Sequence, residues 1–256
     1  MISPLASIHP DARICDQVEI GPFTTIGADV EVGNGSWIGP NVTIMEGARI
    51  GTDCRIFSGA VISAIPQDLK FQGESTTVEI GDRSTIRECV TINRGTKAYG
   101  KTVVGKDCLI MAYVHIAHDC IIGDHVILVN SVALAGHVEI GDYGIVSGLS
   151  AVHQFVKIGA HVMIGGGAMV RKDVPPFITA AGEPLAYAGV NSVGLKRRNF
   201  SQEDINEIQT LYRTLYQSGM NVSQAVNRIK EQYPNRPLAD LILSFIEQSD
   251  RGLIRK

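Results

Sequence analysis

An aliphatic residue returns at every sixth position over most of the first two-thirds of the chain. The register runs through Ile8, Ile14, Ile20, Ile26, Val32, Ile38, Ile44, Ile50, Ile56 and Ile62, and reappears at Ile80, Ile86 and Ile92. It then continues unbroken from Val104 through Ile110, Ile116, Ile122, Leu128, Leu134, Ile140, Val146, Val152, Ile158 and Ile164 to Val170. A period of six belongs to neither an amphipathic helix nor a half-buried strand; it is the hexapeptide pattern of a parallel β-helix. A small or β-branched residue four places after each anchor lies two places before the next. One short strand therefore turns both inward and the residue between them outward. Gly follows the anchor at Gly21, Gly27, Gly33, Gly39, Gly51, Gly81, Gly105, Gly123, Gly141, Gly159 and Gly165, where a corner leaves no room for a Cβ. Three hexapeptides make one triangular coil, and coils stack about 4.8 Å apart through main-chain hydrogen bonds.

Two stretches leave the register and return to it, 63–79 and 93–103, and are expected to project as loops, a common location for ligand contacts. From Ser201 the period becomes helical. Ser201 and Asp204 form a capping pair, Ile205, Ile208, Leu211, Tyr212 and Leu215 share a face, and Gly219 stops the helix. Further helices are expected at 222–233 and from Pro237. The predicted organisation is a β-helix over 1–190 followed by a small α-helical domain over 191–256.

Steps of one coil sort the outward residues of 104–175 into three faces. The first carries Leu109, Ile127, Ile145 and Met163, the second His115, Ala133, Ala151 and Met169, and the third Ile121, Glu139, Lys157 and Pro175. Two adjacent apolar faces predict a homotrimer in which the first face of one chain packs on the second face of the next. The equivalent N-terminal positions, among them Arg13, Glu19, Glu31, Arg49 and Arg55, are polar, so the chains are expected to meet mainly along the C-terminal half.

Composition agrees with a thin prism: Gly numbers 27 while Phe, Tyr and Trp together reach 6%. No apolar run approaches the roughly 18 residues of a membrane span, and the start MISPLASIHPD has no secretory signature, so a cytoplasmic protein without an integral membrane segment is expected. Five cysteines without a CxxC argue against a disulfide framework or a cysteine-rich zinc site. A net charge of −3 disfavours nucleic acid as a partner, although 191–256 carries 10 basic against 7 acidic groups.

Six of the seven histidines fall between 115 and 161. His118 lies in the turn leaving the second face, and one and two coils on the same corner carries Gly136 and Gln154. A base beside an unobstructed N–H donor suits acyl transfer to a hydroxyl, which must lose a proton while charge builds on a carbonyl oxygen. Asp119 either orients the imidazole or serves the hydrogen bonds of the turn itself. The run Lys196, Arg197 and Arg198 is either a solvated face or a grip for phosphates.

The repeat, together with QDLKF, INRGT, HIAHDC, LAGHVEIGD, AVHQF, HVMIGGG, DVPPF, GVNSVGLKRRNF and RGLIR, resembles the UDP-N-acetylglucosamine O-acyltransferases of lipid A biosynthesis over nearly the whole chain. The resemblance implies a left-handed β-helix and a homotrimeric cytosolic enzyme. The enzyme would move a 3-hydroxyacyl chain from acyl carrier protein to the 3-hydroxyl of UDP-N-acetylglucosamine. It implies no cofactor and no metal, the donor being the phosphopantetheine thioester. His118 would be the general base, Asp119 its orienting partner and Gly136 the oxyanion donor. Asp68, Lys70, His115, His137 and Gln154 would line the sugar and pantetheine cleft, and His153, Asn191, Arg197 and Arg198 the nucleotide or phosphate side. Gly166 would leave an acyl groove open, implying a long chain. Lys157, Arg171 and Lys172 are candidate contacts for an acidic carrier protein.

Two positions depart from the family pattern: Asn93 stands where a His is expected before RGT, and Glu183-Pro184 replaces a polar pair. Three other functions compete. The related N-acyltransferase normally has a separate uridine-binding domain, whereas here the hexapeptides begin at Ile8. A zinc hydratase using histidines across an interface would leave the LKRR run without a role. The third is a scaffold that docks through the helical tail.

Overall fold

The computed structural model describes residues 1–255. Twenty-seven strands, most of them two residues long, stack into three sheets of nine, eight and ten strands, parallel except for a final hairpin. The three predicted faces are three sheets. Leu109 pairs with Ile127, Ile145 and Met163 in turn, His115 with Ala133, Ala151 and Met169, and Ile121 with Glu139 and Lys157. Both interruptions are coil insertions. Ile50 pairs with Ile80 and Ile80 with Val104, so the first adds twelve residues to the plain 18-residue coil and the second six.

Strand Glu19–Ile20 and its preceding residue show the inward rule: Val18 and Ile20 are buried and Glu19 is exposed. Where the inward residue is a hydroxyl, it bridges coils. Thr24 donates to the Gly39 carbonyl and accepts the Val42 N–H, and Ser36, Ser84 and Ser150 repeat the arrangement. A polar atom in the prism thus stays paired.

The corner divides its two demands between two positions. The glycine after each anchor does face a close approach, since a Cβ on Gly21 would lie 2.6 Å from the Pro40 nitrogen of the next coil. The left-handed turn itself falls two residues later and is carried mainly by non-glycine residues, including Asn41, Asp53, Asp107, Asp119 and His137 at φ 53–62°. Asn, Asp and His tolerate that region better than most residues. Rings at this position stack outside the prism in a column, His125 on Tyr143, Tyr143 on His161 and His161 on Phe177.

Pro175 does not hold the third-face position. Ile158 bridges Val174, sixteen residues on, because Asp173 shortens the last coil by accepting the Lys157 N–H at 2.7 Å with a fully buried carboxylate. The coil closes with the hairpin Ile178–Ala181 and Ala186–Val190. Four helices follow, α1 (Ser192–Arg197), α2 (Gln202–Gln217), α3 (Val222–Gln232) and α4 (Pro237–Glu247). The Ser201–Asp204 capping box, the Gly219 stop and the Pro237 start are as expected, whereas α1, six residues long, was not anticipated. Tyr212, fully buried on α2, donates to the Pro176 carbonyl at 2.6 Å and ties the helices to the coil. Among the described residues no helix is long and apolar enough to cross a membrane.

Candidate active site

His118 and Asp119 occupy the second and third places after the anchor Ile116, on the corner that leaves the second face. Asp119 takes the left-handed φ of 59°, with its side chain fully buried. His118 Nδ1 lies 2.8 Å from Asp119 Oδ2, which fixes the tautomer and turns Nε2 away from the carboxylate. One coil on, a Cβ built on Gly136 would lie 2.7 Å from His118 Cε1 and 2.8 Å from Nε2. Glycine here is a condition for the imidazole to occupy its place. The Gly136 N–H has no acceptor among the described residues, while its carbonyl accepts the Phe155 N–H.

Of the other predicted residues, His137 touches this pair, and Asp68, Lys70 and His115 lie on the neighbouring loop and strand. His137 packs edge-on against His118 with ring centroids 5.2 Å apart, and its Nε2 is 3.8 Å from Asp119 Oδ2. Burial lowers the His137 pKa, opposed in part by the negative charges of Asp119 and of Asp68 in the first projecting loop. Asp68 accepts the Lys70 N–H at 3.0 Å, which shapes the tip of that loop and leaves the Lys70 side chain exposed. His115 stands one strand before the dyad, its Nδ1 2.7 Å from Thr91 Oγ1, and burial lowers its pKa. Both imidazoles are therefore neutral near pH 7.

Gln154 and His153 are exposed on the same corner, two coils above His118. The neighbouring Phe155 ring stacks on His137 at 4.5 Å. Arg251, from the C-terminal tail, lies over the Phe155 ring and donates to the Gln154 carbonyl at 3.1 Å.

Asn191, Arg197 and Arg198 are not in this cluster. They sit where the helices meet the ring column of the corner beyond the third face. Asn191 caps α1 through the Gly194 N–H and donates to the His161 carbonyl at 3.0 Å. Arg198 lies over the Tyr143 ring and donates to the Tyr143 carbonyl at 3.2 Å, leaving Nη1 without a partner. Burial and the Arg198 charge push His161 down to about 4. Arg197 is exposed.

Gly166 lies at the third corner, where a Cβ would meet nothing closer than 3.5 Å. Its neighbour Gly167 carries the left-handed φ of 69°, so Gly166 is the glycine there that the backbone does not require. Close to the end of the second face, Met169, Arg171, Lys172, Pro184, Leu185 and Ile254 line a cavity of about 330 Å³. A larger one, about 640 Å³, lies among the helices around Glu207, Tyr233 and Arg236 and touches none of the predicted site residues.

Asn93 is buried and donates to the Ile65 carbonyl, tying the two projecting loops together. Thr91, Thr96, Thr102, Phe155, Asp173 and Arg251 support the site and were missed by sequence reasoning. Thr102 carried a positional signal, being a hydroxyl at an inward position two places before the anchor Val104, while Thr96, Phe155, Asp173 and Arg251 lie within the motifs INRGT, AVHQF, DVPPF and RGLIR with no role assigned to them. His118, Asp119 and His137 each offer a ligand atom within 4.8 Å of the others and could approach a metal ion. Both Asp119 oxygens already accept hydrogen bonds from protein donors, which favours the carboxylate as a hydrogen-bond anchor.

Comparison with known proteins gives the family. Residues 173–254 match the model for domain 2 of UDP-N-acetylglucosamine O-acyltransferase, and 29–64 and 101–136 match the bacterial transferase hexapeptide. An acyl-[acyl-carrier-protein]–UDP-N-acetylglucosamine O-acyltransferase from Janthinobacterium sp. (strain Marseille) is 48% identical over 260 residues, covering 100% of this chain and 99% of its own. The crystal structure of a UDP-N-acetylglucosamine acyltransferase from Bacteroides fragilis 9343 superposes with a TM-score of 0.98 at 50% identity, covering all of both chains. The corresponding Arabidopsis enzyme covers the same extent at 32% identity and a TM-score of 0.88. With these neighbours the coil is a left-handed parallel β-helix. The chain is an enzyme of the acyl-[acyl-carrier-protein]–UDP-N-acetylglucosamine O-acyltransferase family.

Proposed function

We propose that this enzyme transfers a 3-hydroxyacyl chain from the phosphopantetheine thioester of acyl carrier protein to the 3-hydroxyl of UDP-N-acetylglucosamine, in the cytoplasm, as a step of lipid A biosynthesis. The observation that carries this reading is the His118 imidazole, held through Nδ1 by Asp119 and packed through Nε2 against the open Gly136 backbone. His118 Nε2 takes the proton of the sugar hydroxyl as its oxygen attacks the thioester carbonyl. The Gly136 N–H stabilises the oxyanion. Collapse breaks the C–S bond, and the imidazolium returns its proton to the departing thiolate. As orders of magnitude, such a base contributes about 10²–10⁴ in rate and an oxyanion donor roughly 3 kcal/mol.

The cleft is completed by a homotrimer. The first and second faces share the corner that carries Tyr113 and Leu149, which are 66% and 77% exposed. Burying both faces under cyclic symmetry turns that corner towards the three-fold axis. The dyad's corner of one chain then meets the corner of the next chain that carries Asn191, Arg197 and Arg198. Asp68, Lys70, His115, His137 and Gln154 line the sugar and pantetheine side. The neighbour's exposed Arg197, with His153, faces the diphosphate, the positive charge of Arg198 stands behind it, and Asn191 fixes that corner. Gly166 keeps the acyl groove open for a long chain. Lys157, Arg171 and Lys172 help to dock the acidic carrier protein.

The test is incubation of the purified protein with UDP-N-acetylglucosamine and hydroxyacyl carrier proteins of several lengths, with products identified by mass. An ester at the 3-hydroxyl, formed in the presence of a chelator, is expected. His118→Ala should stay trimeric and lose about 10²–10⁴ in turnover. No ester with any donor, or full activity in His118→Ala, overturns the reading.

A further inference from the structure

We propose that Thr96, in the second projecting loop, is a positioning residue that clamps the Asp119 carboxylate and through it aims the His118 imidazole. The proposal rests on the reading of His118 as the base. Asp119 Oδ1 accepts the Thr96 N–H at 3.0 Å, and Oδ2 accepts the Thr96 hydroxyl at 2.7 Å beside the His118 Nδ1–H at 2.8 Å. The Asp119 N–H donates to Thr102 Oγ1 at 2.9 Å. One residue thus holds both oxygens of a carboxylate whose side chain is fully buried. A two-point grip fixes the rotation of the carboxylate plane, and that rotation decides where Oδ2 offers a lone pair to the imidazole.

The clamp is itself held. The Thr96 carbonyl accepts the Gly100 N–H at 2.7 Å, and its Oγ1 accepts the Ala98 N–H at 3.2 Å, which commits the hydroxyl proton to Asp119. Thr96 is buried although its neighbours Lys97, Ala98 and Tyr99 are exposed. The loop closes tightly behind it, since a Cβ on Gly95 would lie 2.3 Å from the Lys101 nitrogen. The six inserted residues therefore deliver two donors into the coil corner as well as projecting outward.

The test uses the full-length enzyme. Thr96→Val keeps the shape and the N–H donor and removes the hydroxyl. It should lower kcat about tenfold and leave KM for both substrates within about twofold, and Thr96→Ser should restore kcat to within about twofold of wild type. Adding Thr96→Val to Asp119→Ala should cost nothing further, because the hydroxyl acts only through that carboxylate. The low-field His118 Nδ1–H proton resonance should shift in Thr96→Val and return in Thr96→Ser. Wild-type kcat in Thr96→Val, a loss that multiplies on Asp119→Ala, or an unmoved resonance each overturns the proposal. If the wild-type enzyme forms no ester, the functional reading falls and the resonance alone decides the clamp.

Discussion

His118 and Gly136, one coil apart, exclude one another's growth: a methyl group on the glycine would lie 2.7 Å from the imidazole Cε1. The glycine's φ lies outside the left-handed region, so the backbone accepts alanine and the ring bears the cost. Gly136→Ala should therefore fold as the same oligomer with a thermal midpoint close to wild type. On the proposed mechanism its kcat should fall about 10- to 100-fold, through displacement of the imidazole rather than loss of the N–H donor. Steady-state kinetics beside a melting curve check this, and unchanged kcat would remove the steric coupling.

Asp173 is the point where the C-terminal tail is fastened. Its buried carboxylate accepts the Lys157 N–H at 2.7 Å, the Ser249 hydroxyl at 2.6 Å and the Arg251 N–H at 3.2 Å. Asp173→Ala leaves two backbone donors and a hydroxyl without that acceptor, a cost of about 2–4 kcal/mol. Hydrogen exchange should reveal lost protection over 249–255 and around 157. Because Arg251 lies over Phe155, and Phe155 stacks on His137, a modest fall in kcat should accompany the lost protection. An unchanged exchange pattern would show that the tail is held by other contacts.

Gly166 offers a test of donor choice. A Cβ there meets only ordinary contacts, so Gly166→Met should fold without backbone strain while its side chain enters the open space proposed above as the acyl groove. The preferred donor should become shorter, with kcat/KM for the original chain length falling at least about tenfold and that for a shorter chain kept. Competition among carrier proteins loaded with different chains measures the shift, and an unaltered ranking would detach this residue from length selection.

Much of this was legible because a period constrains everything built on it. The anchors every six residues decide which residues point inward, and a step of one coil puts Gly136 beside His118. Legibility ended where the period ended. Thr96 lies in an insertion that follows no register, so nothing in the spacing aims its hydroxyl at Asp119. The shortened coil at Asp173 displaced Pro175 for the same reason, since one buried carboxylate reset a local count. Asn191 is placed on the nucleotide side by the resemblance alone, and no spacing announces that its side chain caps α1 and donates to the His161 carbonyl. Corner glycines are legible as places with no room for a Cβ, whereas few glycines mark the left-handed turn two residues on, which falls mainly to Asn, Asp, His and aromatic residues.

His161 gives the fold an acid sensitivity with a defined window. It is stacked between Tyr143 and Phe177, with Phe200 edge-on and Arg198 nearby, and its pKa falls from the ordinary value near 6.5 to about 4. Asp142 is the one facing charge that opposes the fall. Between those two values the unfolded chain binds a proton at this site that the folded chain does not, so stability drops as pH falls from about 6.5 to about 4. Above the window both states are neutral and below it both are charged, so the contribution is flat on either side. The loss amounts to about 2 kcal/mol at most, given partial exposure of the ring. His161→Phe keeps an aromatic ring in the column and removes the titration, and no hydrogen bond is sacrificed at Nδ1, which has no partner. Urea unfolding at pH 7 and pH 4.5 should therefore show a smaller pH-dependent loss in His161→Phe than in wild type. Equal losses would assign the acid sensitivity to other groups.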